Sequence, residues 1–208
     1  LIPCVSAIGE LVQHYGVTAV LCTATQPALG RLFKQLAPTL VQHEIAPDPD
    51  ELFDCFRRVS FCREGVFTPE KLAERLTETS QVLCIVNTRK RARQVYESLP
   101  EEGRFHLSTL MIPTDREKTL NAIRTRLQNG KTCRVVSTSL VEAGVDVDFP
   151  SVWRELVGLD SILQAAGRCN REGRRSAAES VVHVFEAEGK FHASMTQQRE
   201  AATKVMEE

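Results

Sequence analysis

CRVVSTSLVEAGVDVDFPSVWRELVGLDSILQAAGRCNR, residues 133–171, holds an apolar β-branched run, a polar turn, a second apolar run and a helical stretch in close succession. Residues 133–138 read as a buried strand, 152–156 as another, and Asp160 to Cys169 as a helix, because short apolar runs bounded by turn residues suit strands and three-to-four spacing suits helices. The same alternation continues on both sides. Upstream, the spacing predicts a helix over Pro113–Gln128, a short strand and turn over 105–110 (FHLSTL), a helix over Arg89–Leu99, a strand over 81–86 (QVLCIV) and a helix over Pro69–Thr77. Downstream, SVVHVF at 180–185 reads as a last strand and 193–207 as a helical tail. Strands separated by helices of about 10–15 residues imply βαβ units, so the expected fold is α/β with a parallel sheet covered by helices on both faces.

The first fifty residues differ. Ile2, Val5, Ile8, Leu11, Val12 and Tyr15 recur at helical spacing, TAVLCT at 18–23 reads as a buried strand, and 26–36 reads as a helix with Pro27 near its first turn. Residues 38–51 hold Pro38, Pro47 and Pro49 among Glu44, Asp48, Asp50 and Glu51, the composition of a linker.

Composition excludes several classes. Among 208 residues, 42% are hydrophobic and 25% charged, ordinary for a folded domain and unlike a disordered or collagen-like chain. No apolar run approaches the ~20 residues needed to cross a bilayer, so no membrane role is expected. The formal net charge of -1 excludes a globally basic nucleic-acid binder, although RKRAR at 89–93 and Arg168 to Arg175 leave local basic surfaces. Seven cysteines without a C-x-x-C pair make a zinc site or disulfide framework poorly supported, and no metal ligand is expected. Cys22, Cys84 and Cys133 fall in apolar runs and read as buried, reduced thiols, which points to the cytoplasm.

Parallel α/β sheets place chemistry beyond the carboxyl ends of their strands. There the chain carries Thr23 and Thr25, then Asn87-Thr88-Arg89, then Ser137 to Asp146, and finally the helix with Gln164, Gly167, Arg168 and Arg171. Gln164, Arg168 and Arg171 stand at i, i+4 and i+7 and so share one helical face, and two arginines so placed suit an anion such as a transferring phosphoryl group. Gly144 and Asp146 form a turn in which a carboxylate can accept from ribose hydroxyls. The threonines suit phosphate contacts, and equally suit helix caps. Gly130-Lys131-Thr132 lacks the strand-to-helix setting of a P-loop. No base–nucleophile pair stands at the strand ends, which disfavours a small-molecule enzyme.

Taken in order, TATQP, CIVNTRKRA, STSLVEAGVDVDF and LQAAGRCNR resemble motifs III, IV, V and VI of the superfamily 2 helicases, and over 17–175 the chain is most similar to the CRISPR-associated helicase-nuclease of type I systems. The resemblance implies two RecA-like domains with ATP and Mg²⁺ between them and single-stranded DNA across both. It implies that residues 1–45 are a remnant of the first RecA-like domain with its linker, 46–190 the second, and 191–208 a helical tail. Arg168 and Arg171 would be arginine fingers with Gln164 beside them. Gly144 and Asp146 would line the nucleotide, and Thr23 and Thr25 would couple the domains. Thr88, Arg89, Thr138, His106 and Ser108 would contact the DNA, with FHLSTLM at 105–111 departing from the family's usual turn. The P-loop, the acidic box and the HD nuclease domain would be supplied by a missing part, and a CRISPR effector complex would be the partner. This chain alone would hold no nucleotide and lack activity. The alternative is a stand-alone RecA-like module that binds nucleic acid or protein without hydrolysing ATP.

Overall fold

The computed structural model describes residues 2–22, 29–139, 145–189 and 196–207. Two compact units divide the chain, Leu1–Cys55 and Phe56–Glu208.

The first unit holds helices α1 (Ile2–Tyr15), α2 (Gly30–Leu36) and α3 (Pro49–Cys55). The strand expected at 18–23 does not form over its described part. Residues 18–22 adopt no regular secondary structure, Val20 is 66% exposed, and Cys22 lies at the surface instead of in a core. A strand is held by inter-strand hydrogen bonds, and among the described residues of this unit there is no second strand to supply them. Thr23 and Thr25 lie outside the described residues.

In the second unit the chain runs β1 (Ser60–Phe67), α4 (Pro69–Thr77), β2 (Gln81–Ile85), α5 (Arg89–Ser98), β3 (Arg104–Leu107) and α6 (Pro113–Gln128). It continues through β4 (Cys133–Ser137), β5 (Ser151–Glu155), α7 (Leu159–Ala166), β6 (Val181–Ala187) and α8 (Thr196–Glu207). The strands form one six-stranded sheet, ordered β1-β6-β5-β2-β4-β3 and parallel at every pairing. Alternate residues of β2 explain the two covering layers. Val82 and Cys84 face a core with Leu72 and Leu76 of α4 and Ala92 and Val95 of α5. Leu83 and Ile85 face the opposite core, with Leu120 and Ile123 of α6 and Ala165 and Ala166 of α7. Helix α8 closes a third cluster, in which Ala202 packs with Leu156, Ile162 and Val184.

Two expectations change here. Strand β1 was not foreseen. It lies at the sheet edge, its residues are half-buried or exposed, and ladder bonds to β6 hold it, so it needs no apolar pattern. Helix α7 ends at Ala166, with Gly167 as its C-cap at φ −62° and ψ −5°. Gly167 is therefore not a mid-helix residue, and Gln164, Arg168 and Arg171 do not form one helical face. The backbone turns after Gly167 to pair Cys169 with Phe149.

Candidate nucleotide and nucleic-acid interface

The sheet separates the singled-out residues onto two opposite edges. At the carboxyl edge, Ile85 pairs with Ser137 and Ser137 with Leu107, so Thr138 and Ser108 each stand one residue beyond the ladder. Asn87 and Thr88 follow β2 on that edge. Thr88 caps α5, its hydroxyl oxygen accepting from the Arg91 amide at 3.2 Å, and Thr88 and Arg89 face solvent. Thr138 is 7% exposed and its carbonyl accepts from the Ser137 hydroxyl at 3.0 Å. Ser108 is buried and accepts from the Leu110 amide at 3.3 Å.

His106 stands on β3 with its ring centroid 5.6 Å from that of Tyr96, and its buried Nε2 has no hydrogen-bond partner. Burial lowers its pKa. A histidine depressed in this way favours the fold above its unfolded pKa of about 6.5, and that contribution is lost as the pH falls. His106→Leu is expected to flatten the acid limb of stability. The check is the urea midpoint of both proteins above and below about pH 6.5, and parallel losses in the two would refute it.

An ionic network underlies this edge. Glu155, 1% exposed at the end of β5, accepts from Arg91 Nη1 at 2.5 Å and from the Asn87 amide at 2.8 Å. Arg154 donates to Asn87 Oδ1 at 2.7 Å, and Asn87 Nδ2 donates to the Leu156 carbonyl at 3.2 Å. Arg91 also donates to the Glu188 carbonyl beyond β6 at 3.0 Å. The N-terminus of α5 is thus tied to β5 and to the end of β6. Sequence reading missed Glu155 and Arg91, whose pairing spans 64 positions.

The second group sits at the amino edge of β5. Residues 145–150 lead into that strand, and the turn after α7 pairs with them. The Phe149 amide donates to the Arg168 carbonyl and the Asn170 amide to the Phe149 carbonyl, both at 2.9 Å. Arg171 Nε lies 2.8 Å from Asp146 Oδ1, and its amide donates to Asp148 Oδ1 at 2.7 Å. Arg175 reaches the other oxygen of Asp148 at 3.3 Å. Asn170 organises the turn from within. It is fully buried at φ 46°, a left-handed conformation that asparagine tolerates better than most residues. Its Nδ2 donates to the carbonyls of Arg58 at 2.8 Å and Arg175 at 2.7 Å, while its Oδ1 accepts from the Arg175 amide at 3.0 Å.

Arg168 is 9% exposed. Burial lowers its pKa most, the neighbouring charge of Arg171 lowers it further, and Asp146 opposes both. The turn thus holds two cations close enough to repel. Gln164 is exposed on α7, and Gly144 lies outside the described residues. Beside Asp146 and Asp148 opens a cavity of about 200 Å³, also lined by Arg124, Glu172, Arg174 and Arg175. That is below the ~300–1,000 Å³ of most complete small-molecule sites. The two edges lie one strand apart, about 17 Å for five residues. A larger cavity of about 460 Å³ lies between β6 and α8, where Arg199 and Arg63 both approach Glu186. Among the described residues no helix is long and apolar enough to cross a membrane.

Residues 78–174 match the family described as CRISPR-associated nuclease/helicase Cas3, C-terminal. The chain is 28% identical over 131 residues to the CRISPR-associated helicase Cas3 of Thermoproteus tenax, a match covering 61% of this chain and 21% of that protein. A T. fusca Cas3-AMPPNP structure superposes with a TM-score of 0.54 at 21% identity, covering 70% of this chain and 20% of that one. A CRISPR RNA-guided surveillance complex in a pre-nicking state superposes with a TM-score of 0.55 at 19% identity, covering 72% of this chain and 22% of the other. The match thus spans about a fifth of each of these proteins.

Proposed function

We propose that this chain, whose residues 78–174 match the C-terminal family of CRISPR-associated nuclease/helicase Cas3, is the second RecA-like half of an ATP-driven single-stranded DNA translocase acting in CRISPR defence. The observation that carries this reading is the ion pair of Arg171 with Asp146 beside the nearly buried Arg168, on a turn braced by Asn170. Two guanidinium groups held against their mutual repulsion favour an incoming anion, and a γ-phosphoryl group carries charge on three oxygens. Asp146 would accept from the ribose with Gly144 beside it, and Gln164 would stand next to the fingers.

The carboxyl edge would carry the DNA. Thr88, Arg89 and Thr138 would contact phosphates, with Ser108 and His106 supporting the same edge, so binding would be independent of base sequence. Thr23 and Thr25 would couple this half to the first. Residues 1–45 would be the remnant of that first RecA-like domain, 46–190 the second domain and 191–208 a helical tail. ATP and Mg²⁺ would be held mainly by the missing half, which would also bring the HD nuclease, and a CRISPR effector complex would recruit the whole. The isolated chain would lack ATPase activity. The T. fusca relative crystallised with AMPPNP supports the nucleotide assignment, and the surveillance-complex neighbour supports the recruitment.

Thr88 offers a clean test in the complete protein. Thr88→Asp preserves a cap acceptor for α5, so the fold is retained, but it sets a negative charge against a phosphate. The expected result is single-stranded DNA affinity reduced at least tenfold, with nucleotide affinity unchanged. Unaltered DNA affinity would move the strand away from this edge.

A further inference from the structure

We propose that Cys62, Glu64 and His183 form a binding site for a divalent transition-metal ion, zinc in preference to magnesium, that clips the edge strand β1 to β6. The inference is independent of the translocase reading. Cys62 on β1 pairs directly with His183 on β6, and Glu64 follows two residues along β1. One donor atom from each side chain lies within 4.8 Å of the other two. His183 Nδ1 is 2.8 Å from Glu64 Oε1, and Cys62 Sγ is 3.7 Å from that same oxygen.

Zinc bonds of about 2.0–2.3 Å to sulfur, nitrogen and oxygen require donor separations of roughly 3–4 Å. Two of the three distances already approach that range. The third closes by rotation of Cys62, which is exposed on an edge strand. Mixed thiolate, imidazole and carboxylate donors suit zinc, whereas magnesium takes oxygen donors only. Three protein ligands leave the fourth tetrahedral position to water.

The imidazole is held in place. Its ring stacks on Trp153 with centroids 4.5 Å apart and planes 15° from parallel, which holds the plane of the ring whose Nδ1 meets Glu64. Arg75 lies over the indole ring, 5.9 Å from its centroid, and is paired with Glu78. Desolvation and the Glu64 charge raise the Cys62 pKa, opposed by Arg75. Binding forms the metal–sulfur bond as the S–H bond breaks and its proton passes to solvent.

Sequence spacing concealed this site, because 119 positions separate Glu64 from His183 and β1 itself was not foreseen. The same stacking supplies a reporter. Trp153 is the single tryptophan of the chain, so a paramagnetic ion bound to His183 would quench all of its tryptophan fluorescence.

The experiment titrates the chain with Co²⁺ and, in competition, Zn²⁺. The expected result is one ion per chain with thiolate-to-cobalt charge-transfer absorption, quenching of Trp153, and reversal of both by zinc. Cys62→Ser, at an exposed position that leaves the fold intact, should abolish the charge-transfer band. It should also weaken zinc by more than the roughly 10–100-fold that losing an outer-shell partner costs. His183→Gln should abolish the quenching. Zinc should raise the melting temperature of the parent and of neither variant. Magnesium should produce none of these changes. Absence of saturable binding, cobalt binding that leaves Trp153 emission unchanged, or a Cys62→Ser variant that binds like the parent would each overturn the site.

Discussion

On the proposed translocase reading, Arg168→Ala or Arg171→Ala should lower DNA-stimulated ATP turnover of the complete protein by about 10³-fold or more, the range lost with an arginine finger in other phosphoryl-transfer systems. DNA affinity should change little, because these residues sit at the amino edge of β5 while Thr88, Arg89 and Thr138, the proposed DNA contacts, sit at the carboxyl edge. The two substitutions differ in a second respect. Arg171 is bonded to Asp146 through its side chain and to Asp148 through its amide. Its loss frees the Asp146 carboxylate but preserves the turn. Arg168 is nearly buried, so truncating it also leaves a gap in the turn. Arg168→Lys keeps the charge and much of the volume without the planar fork, and should recover little turnover. Measuring turnover and DNA affinity on each variant decides the matter. Arginine variants that lose DNA binding and keep turnover would make this turn a nucleic-acid surface and favour a stand-alone binding module.

The largest expected effect on stability belongs to Glu155→Ala. The carboxylate is buried between Arg91 and the Asn87 amide, and its removal strands charge and donors away from water. Breaking a buried pair from one side costs about 3–5 kcal/mol, enough to unfold a marginal domain. The measurement is the urea midpoint at constant slope. Glu155→Gln, which keeps one acceptor, should lose less. The double variant with Arg91→Ala should lose less than the sum of the two singles, because each single change leaves the other partner unsatisfied. Additive losses would show that the two residues act separately. DNA affinity should fall with stability in Glu155→Ala, since this network fixes the start of α5 and with it Thr88 and Arg89.

Much of the second unit was legible in the sequence. The strand QVLCIV and the helix from Pro113 to Gln128 were foreseen within a residue of their observed bounds, because continuous burial and a proline at the first helical turn are local signals. The strands around CRVVST, SVWRE and SVVHVF were likewise visible as apolar runs, and their alternation with helices implied a parallel sheet. What the chain alone could not announce was pairing. TAVLCT has the composition of a buried strand, but in the described residues of its unit there is no neighbouring strand to hold it. SFCREGVF has a weaker pattern and forms a strand because β6 supplies its ladder.

The candidate site divides along the same line. Residue types and their order were sequence information: two arginines after a glutamine, a Gly-x-Asp turn, threonines after strands. Their grouping was tertiary. A uniform helical face at Gln164, Arg168 and Arg171 assumed that Gly167 lay inside the helix, whereas the pairing of Cys169 with Phe149 ends the helix there and turns the arginines toward Asp146 and Asp148. Asn170 and Glu155 have partners up to 112 positions away, and the proposed metal site joins Glu64 to His183 across 119 positions. Periodicity records the local preference of the backbone for helix or strand. Contacts between distant side chains depend on which strands pair and in what register, and only the folded sheet sets that register.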